Sequence, residues 1–98
     1  MTVGDVVSTQ VQLLSTNSLD VRPATSAAEW VIHNIYLPFG STIELYRNDG
    51  TYSFKISNLS SSLLSYSFHC TRNNYLTITN VGTGSVYISY DGVITKES

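Results

Sequence analysis

Cysteine is almost missing from this chain of 98 residues: Cys70 stands alone, so no disulfide can close within it. Stability without disulfides points to folding in a reducing cytoplasm. Proline occurs twice, and charged residues make up only 12%, as five basic and seven acidic side chains scattered along the sequence. A net charge of -2 with no basic stripe argues against nucleic acid as a partner. Long apolar runs and basic amphipathic helices are also lacking, so no membrane role is expected. The opening Met1-Thr2-Val3-Gly4-Asp5 has neither a positive n-region nor an apolar h-region and does not read as a signal peptide.

The patterns that carry catalysis are equally scarce. No Gly-x-Ser-x-Gly elbow, phosphate loop or dinucleotide fingerprint occurs. His33 lies within an apolar strand and His69 precedes Cys70, so on a strand His69 and Cys70 point to opposite faces. That spacing disfavours both a shared metal site and a Cys–His dyad. Asp49 and Asp91 each precede a glycine, where aspartate commonly forms a turn by bonding its own backbone. The expectation is a protein that is no enzyme, with no catalytic or metal-binding residues and no cofactor.

What is present is alternation. Hydrophobic residues make up 42% of the chain, and about a third is Ser, Thr or Asn. The clearest stretch, Ile43 to Ile56, alternates on both sides of Asp49-Gly50, a strong hairpin signal because Asp and Gly tolerate the positive φ of a tight turn. Val6 to Leu14 reads as a first strand with Val7, Thr9, Val11 and Leu13 on one face. Leu19 to Arg22 reads as a second strand that Pro23 stops. Glu29 to Tyr36 has bulk on both faces, Trp30, Ile32 and Tyr36 against Val31 and Ile35, as in a central strand covered twice. Leu64 to Cys70, Tyr75 to Thr79, Ser85 to Tyr90 and Val93 to Thr95 complete the series, with Asp91-Gly92 read as a turn or bulge between the last two.

Eight or nine short strands at this spacing predict a single all-β domain over residues 1–98. The expected form is a small antiparallel β-sandwich, jelly-roll-like, with residues 1–14 as an N-terminal arm or edge strand. The expected core is Trp30, Ile32, Ile35, Phe54, Ile56, Phe68, Ile78 and Ile88, with Cys70 as a small buried residue. Asp49, Gly50, Asp91 and Gly92 are the expected structural turns. Of the seven tyrosines, Tyr75 and Tyr87 fall on the face opposite Leu76, Ile78, Val86 and Ile88 and are the expected interaction surface. A sandwich this small leaves apolar surface for a neighbour, so homo-oligomerisation is expected.

Four segments, Glu29–Ile35, Glu44–Gly50, Tyr75–Asn80 and Ser89–Lys96, taken in this order and spacing, resemble small virion structural proteins of tailed bacteriophages. The first 28 residues carry little of the likeness. The resemblance implies a non-enzymatic component of the particle, made in the host bacterial cytoplasm. The first expectation is a head decoration or cement protein, trimeric or otherwise oligomeric, that binds the major capsid protein or other virion proteins and reinforces capsomer contacts. A tail, neck or fibre-associated connector and a glycan-binding host-adhesion module are the alternatives.

Overall fold

The computed structural model describes residues 4–25 and 27–96. Eight strands follow one another: β1 (Val6–Leu13), β2 (Ser18–Val21), β3 (Glu29–Tyr36), β4 (Ile43–Asn48), β5 (Ser53–Leu59), β6 (Phe68–Thr71), β7 (Tyr75–Asn80) and β8 (Val86–Lys96). They form two four-stranded sheets, ordered β1-β8-β3-β6 and β2-β7-β4-β5, with every pairing antiparallel. Successive strands mostly cross from one sheet to the other, the interleaving of a jelly-roll β-sandwich. Within the segment expected as an arm or edge strand, β1 lies at the edge of its sheet and pairs with β8 from Val6 to Leu13, while Met1 to Val3 lie outside the described residues.

Alternation sets which residues meet between the sheets. Val7, Leu13, Ile32, Ile35, Cys70, Ile88 and Ile94 from one sheet face Val21, Ile43, Leu45, Leu59, Leu76 and Ile78 from the other. Each fully buried Leu or Ile contributes about 1.5–3 kcal/mol relative to exposure. Trp30 and Phe68 are partly buried against this cluster rather than at its centre.

Phe54 and Ile56 are not core residues: they are 74% and 46% exposed. The reason is their strand's position. β5 is the edge of its sheet, and its register against β4 slips between Leu45 and Tyr46, leaving Ile56 as an extra residue. Phe54 pairs with Arg47 and keeps the inner phase, Ile56 is the unpaired bulge residue, and the opposite sheet reaches over neither.

β3 departs from simple alternation as well. Ile32 pairs with Gly92 and Asn34 with Asp91, so His33 is an extra residue in β3. The bulge turns Ile32 and Ile35 to the same inner side, both fully buried, and turns Tyr36 outward. Of the turn or bulge expected at Asp91-Gly92, no turn forms, and the register shift at this point belongs to the facing strand. β8 runs through both residues unbroken, and the irregularity sits across from them at His33. Glycine is required at 92 for another reason: a Cβ there would lie 2.0 Å from the Val31 carbonyl oxygen.

The Asp49-Gly50 hairpin is present and reverses the chain between Asn48 and Ser53. Gly50 has φ +89°, and the Asp49 carboxylate accepts the backbone N–H groups of Thr51 (2.9 Å) and Tyr52 (2.7 Å). These two bonds hold the Asp49 carboxyl below the usual carboxylate range. The expected strand from Leu64 shortens to β6, since Leu63 makes only an isolated bridge with Ile35 before Phe68 begins regular pairing.

Candidate interaction surface

Cross-strand partners share a face, so the pairings define two outer faces and the edges between them. On the β2-β7-β4-β5 sheet the outer face is a polar network. The Tyr46 hydroxyl donates to Glu44, whose other carboxylate oxygen takes Lys55 Nζ at 3.0 Å. The Tyr46 and Lys55 bonds, in that order, lower the Glu44 pKa, and the Glu44 bond raises that of Tyr46. Asn48 Nδ2 donates to Thr77 Oγ1 (3.3 Å), Thr77 Oγ1 donates to Asp20 (3.0 Å), and Ser18 and Thr79 share a bond of 2.8 Å. Tyr46, Asn48, Ser53, Thr77 and Thr79 line a shallow depression of about 280 Å³ in this face.

Tyr75 also lies on this side but is only 5% exposed, so it offers little surface to a partner. The Arg22 guanidinium covers its ring at 4.3 Å from the centroid, a cation–π contact. The sequence pattern of Leu19 to Arg22 predicts a strand but cannot place Arg22 over Tyr75, more than fifty positions away in sequence. Tyr87 meets the expectation of exposure at 63%.

Tyr87 stands on the outer face of the β1-β8-β3-β6 sheet, opposite Gln12. On the same face Asp91 accepts Asn34 Nδ2 and the Tyr36 hydroxyl, both at 2.7 Å. The Tyr36 bond raises that phenol's pKa. Asn34 Oδ1 in turn accepts the backbone N–H of Ser65, tying the β5–β6 connection to β3. One histidine, His33, serves the same connection, and the other, His69, links β6 to β3. His33 Nδ1 donates to the Tyr66 carbonyl (2.8 Å), and His69 Nε2 meets Glu29 Oε1 (2.7 Å) on the exposed side of β6. Cys70 is fully buried on the other side, and burial pushes its thiol pKa up. Among the described residues, no group of three or more His, Cys, Asp and Glu side chains could hold a metal ion.

Sequence reasoning missed the flank formed by β5 and β6, consecutive strands that are both sheet edges. An inner-face row runs Val21, Leu76, Arg47, Phe54 across four strands: the first two are fully buried, Arg47 is half-buried and Phe54 stands exposed. Arg47 lies beside the Cys70 thiol, which brings the end of this row against β6. On β6, Phe68 stacks on Tyr66 with ring centroids 5.6 Å apart and planes 3° from parallel. Both inner faces thus end in aromatic side chains on this flank. The signal available in the sequence was the alternation of Tyr52, Phe54 and Ile56; the missing information was that β5 is an edge. A separate apolar point is Phe39, 95% exposed at the tip of a turn closed by Ser41 N–H to the Pro38 carbonyl (3.2 Å).

No known protein family and no curated protein matches this sequence. Solved structures do match the fold. The nucleoplasmin-like N-terminal domain of Drosophila FKBP39 superposes with a TM-score of 0.58 at 8% identity, covering 95% of this chain and 91% of that one. The Drosophila NLP core, described for pentamer formation and histone binding, gives 0.46 at 16% identity over 89% and 96% of the two chains. A protein of Bacillus endospore appendages, described as disulfide-linked pili, gives 0.49 at 12% identity over 97% and 91%. At such identities the likeness extends to the fold, and the first of these structures agrees with the all-β sandwich read from the strand order.

Proposed function

We propose that this chain is a non-enzymatic structural protein that works by adhesion, as a decoration or cement component on the head of a tailed bacteriophage. The observation that carries the adhesive part is the display of apolar side chains on ordered elements: Phe39 on a closed turn, Phe54 and Ile56 on β5, Tyr87 on β8. Aromatic side chains presented on a rigid frame lose little entropy on binding and are typical anchors of protein interfaces. The resemblance of residues 29–96 to small phage structural proteins supports the virion setting. Binding would staple neighbouring capsomers by burying this surface and adding hydrogen bonds at strand edges.

The test is co-sedimentation of the purified chain with phage capsids that lack it. Saturable binding at many copies per particle supports decoration. Retention on isolated necks or tails with none on heads would replace it with the connector reading.

A second reading, a glycan-binding host-adhesion module, is favoured by the depression beside Tyr46, where an aromatic side chain adjoins Asn48, Ser53, Thr77 and Thr79. Retention on bacterial surface glycans that Tyr46→Ala abolishes would favour it over capsid binding.

A further inference from the structure

We infer that the β5–β6 flank is where two copies of this chain join, around a two-fold axis beside Phe54, with β5 pairing antiparallel to β5 of the second copy. This rests on the adhesive reading above and names one partner for it.

Three observations carry the inference. First, the edges differ in how they are guarded. β2 and β6 are four residues long, too short to template much pairing, whereas β1 has eight residues and β5 seven, neither with a proline; of these two only β5 carries an exposed aromatic side chain, Phe54, followed by the half-exposed Ile56 of β5. Its one charged side chain, Lys55, is already neutralised by Glu44 at 3.0 Å, so two copies meeting here bring no unpaired like charges together. Second, the side chains that would be covered are apolar, and the pairing places Phe54 and Phe68 on the inner side of the sandwich. Phe54 continues the Val21–Leu76–Arg47 row, and Tyr66 stacks on the inward Phe68. A second copy would extend the core that the opposite sheet leaves open. The bulge at Ile56 bends the second half of the strand, so backbone pairing is confined to the three residues Ser53 to Lys55 and the apolar side chains supply most of the contact.

Third, the area is sufficient. Tyr52 is 73% exposed, Phe54 74%, Tyr66 50% and Ile56 46%. At the 150–250 Å² that an aromatic side chain buries, these four offer roughly 500 Å² per copy. Two copies then cover about 1,000 Å², the lower bound of a specific interface. A two-fold axis makes the strand pairing antiparallel and gives each unpaired edge group the same partner in both copies.

Sedimentation equilibrium of the full chain tests this. The expected mass at about 100 μM, where even a modest dimer is populated, is twice the 10.8 kDa of one chain. Phe54→Lys combined with Ile56→Lys should give the single-chain mass with an unchanged far-UV spectrum, since both side chains are exposed. Phe39→Ser, off the flank, should keep the doubled mass. A single-chain mass for the unaltered protein, a mass above two chains, or a dimer that survives the double substitution would overturn the pairing. A chain that sediments alone yet still binds capsids would overturn the pairing and leave the decoration reading standing.

Discussion

Gly92 of β8 lies against the backbone of Val31 in β3 so closely that a Cβ at position 92 would sit 2.0 Å from the Val31 carbonyl oxygen and 2.7 Å from Ile32 Cα. Both obstacles are backbone of a strand paired across the middle of its sheet, and neither can rotate away. Gly92→Ala should therefore destabilise the fold by about 1–3 kcal/mol or more, the cost of overpacking a well-packed interior. Urea titration followed by far-UV circular dichroism measures this. A loss under half a kilocalorie would mean that β3 and β8 do not approach as described.

Asn80 is the most completely buried polar side chain among the described residues, and it ties the end of β1 to the loop between β7 and β8. Its Nδ2 donates to the carbonyls of Leu13 (3.0 Å) and Gly84 (2.8 Å), and its Oδ1 accepts the N–H of Gly82 (3.0 Å). Asn80→Leu leaves the buried Leu13 carbonyl without its partner, at about 1–3 kcal/mol, and removes two part-buried bonds to Gly82 and Gly84 worth about 0.5–1.5 kcal/mol each. A midpoint shift corresponding to about 3 kcal/mol in the same titration is expected.

Ile32 and Phe54 were alike as sequence candidates for the core and differ in the structure. Ile32→Ala should cost about 2–5 kcal/mol, the range for emptying a buried aliphatic site. Phe54→Ala should change monomer stability by no more than about 0.5 kcal/mol, as for exposed positions. Thermal melts of the two variants at low concentration decide between core and flank, and equal losses would restore Phe54 to the core.

The carboxyls of Asp49 and Glu44 are both held below their ordinary values, by backbone N–H groups in the first case and by Tyr46 and Lys55 in the second. A carboxyl depressed in the folded state stabilises above its unfolded pKa and loses that contribution as pH falls through its folded pKa. Melting temperature should therefore be flat near neutrality and decline below about pH 4. Asp49→Asn combined with Glu44→Gln should flatten that acid limb. An unaltered limb would place the acid sensitivity on other carboxyls.

Much of the fold was legible because alternation is a local property. The inward Val7, Leu13, Ile78 and Ile88 follow from period-two spacing, and Asp49-Gly50 from the φ that the hairpin needs. The failures have one physical origin. Whether an alternating face is covered depends on strands far away in sequence, and so does the phase of alternation across a bulge. Phe54 and Ile56 carry an inward pattern but lie on an edge. Tyr75 carries an outward pattern but is covered by Arg22. Ile35 changes face because His33 is an extra residue opposite the tight Gly92 contact.

The sequence by itself determined an all-β domain of short strands, the hairpin at Asp49-Gly50 and the single buried thiol at Cys70, because turn chemistry and side-chain period are written into neighbouring residues. Only the tertiary structure decided the order of strands in the two sheets, the bulge at His33 and the aromatic flank along β5 and β6. Those depend on which strand lies beside which, and that is fixed by packing between segments whose sequences do not refer to one another.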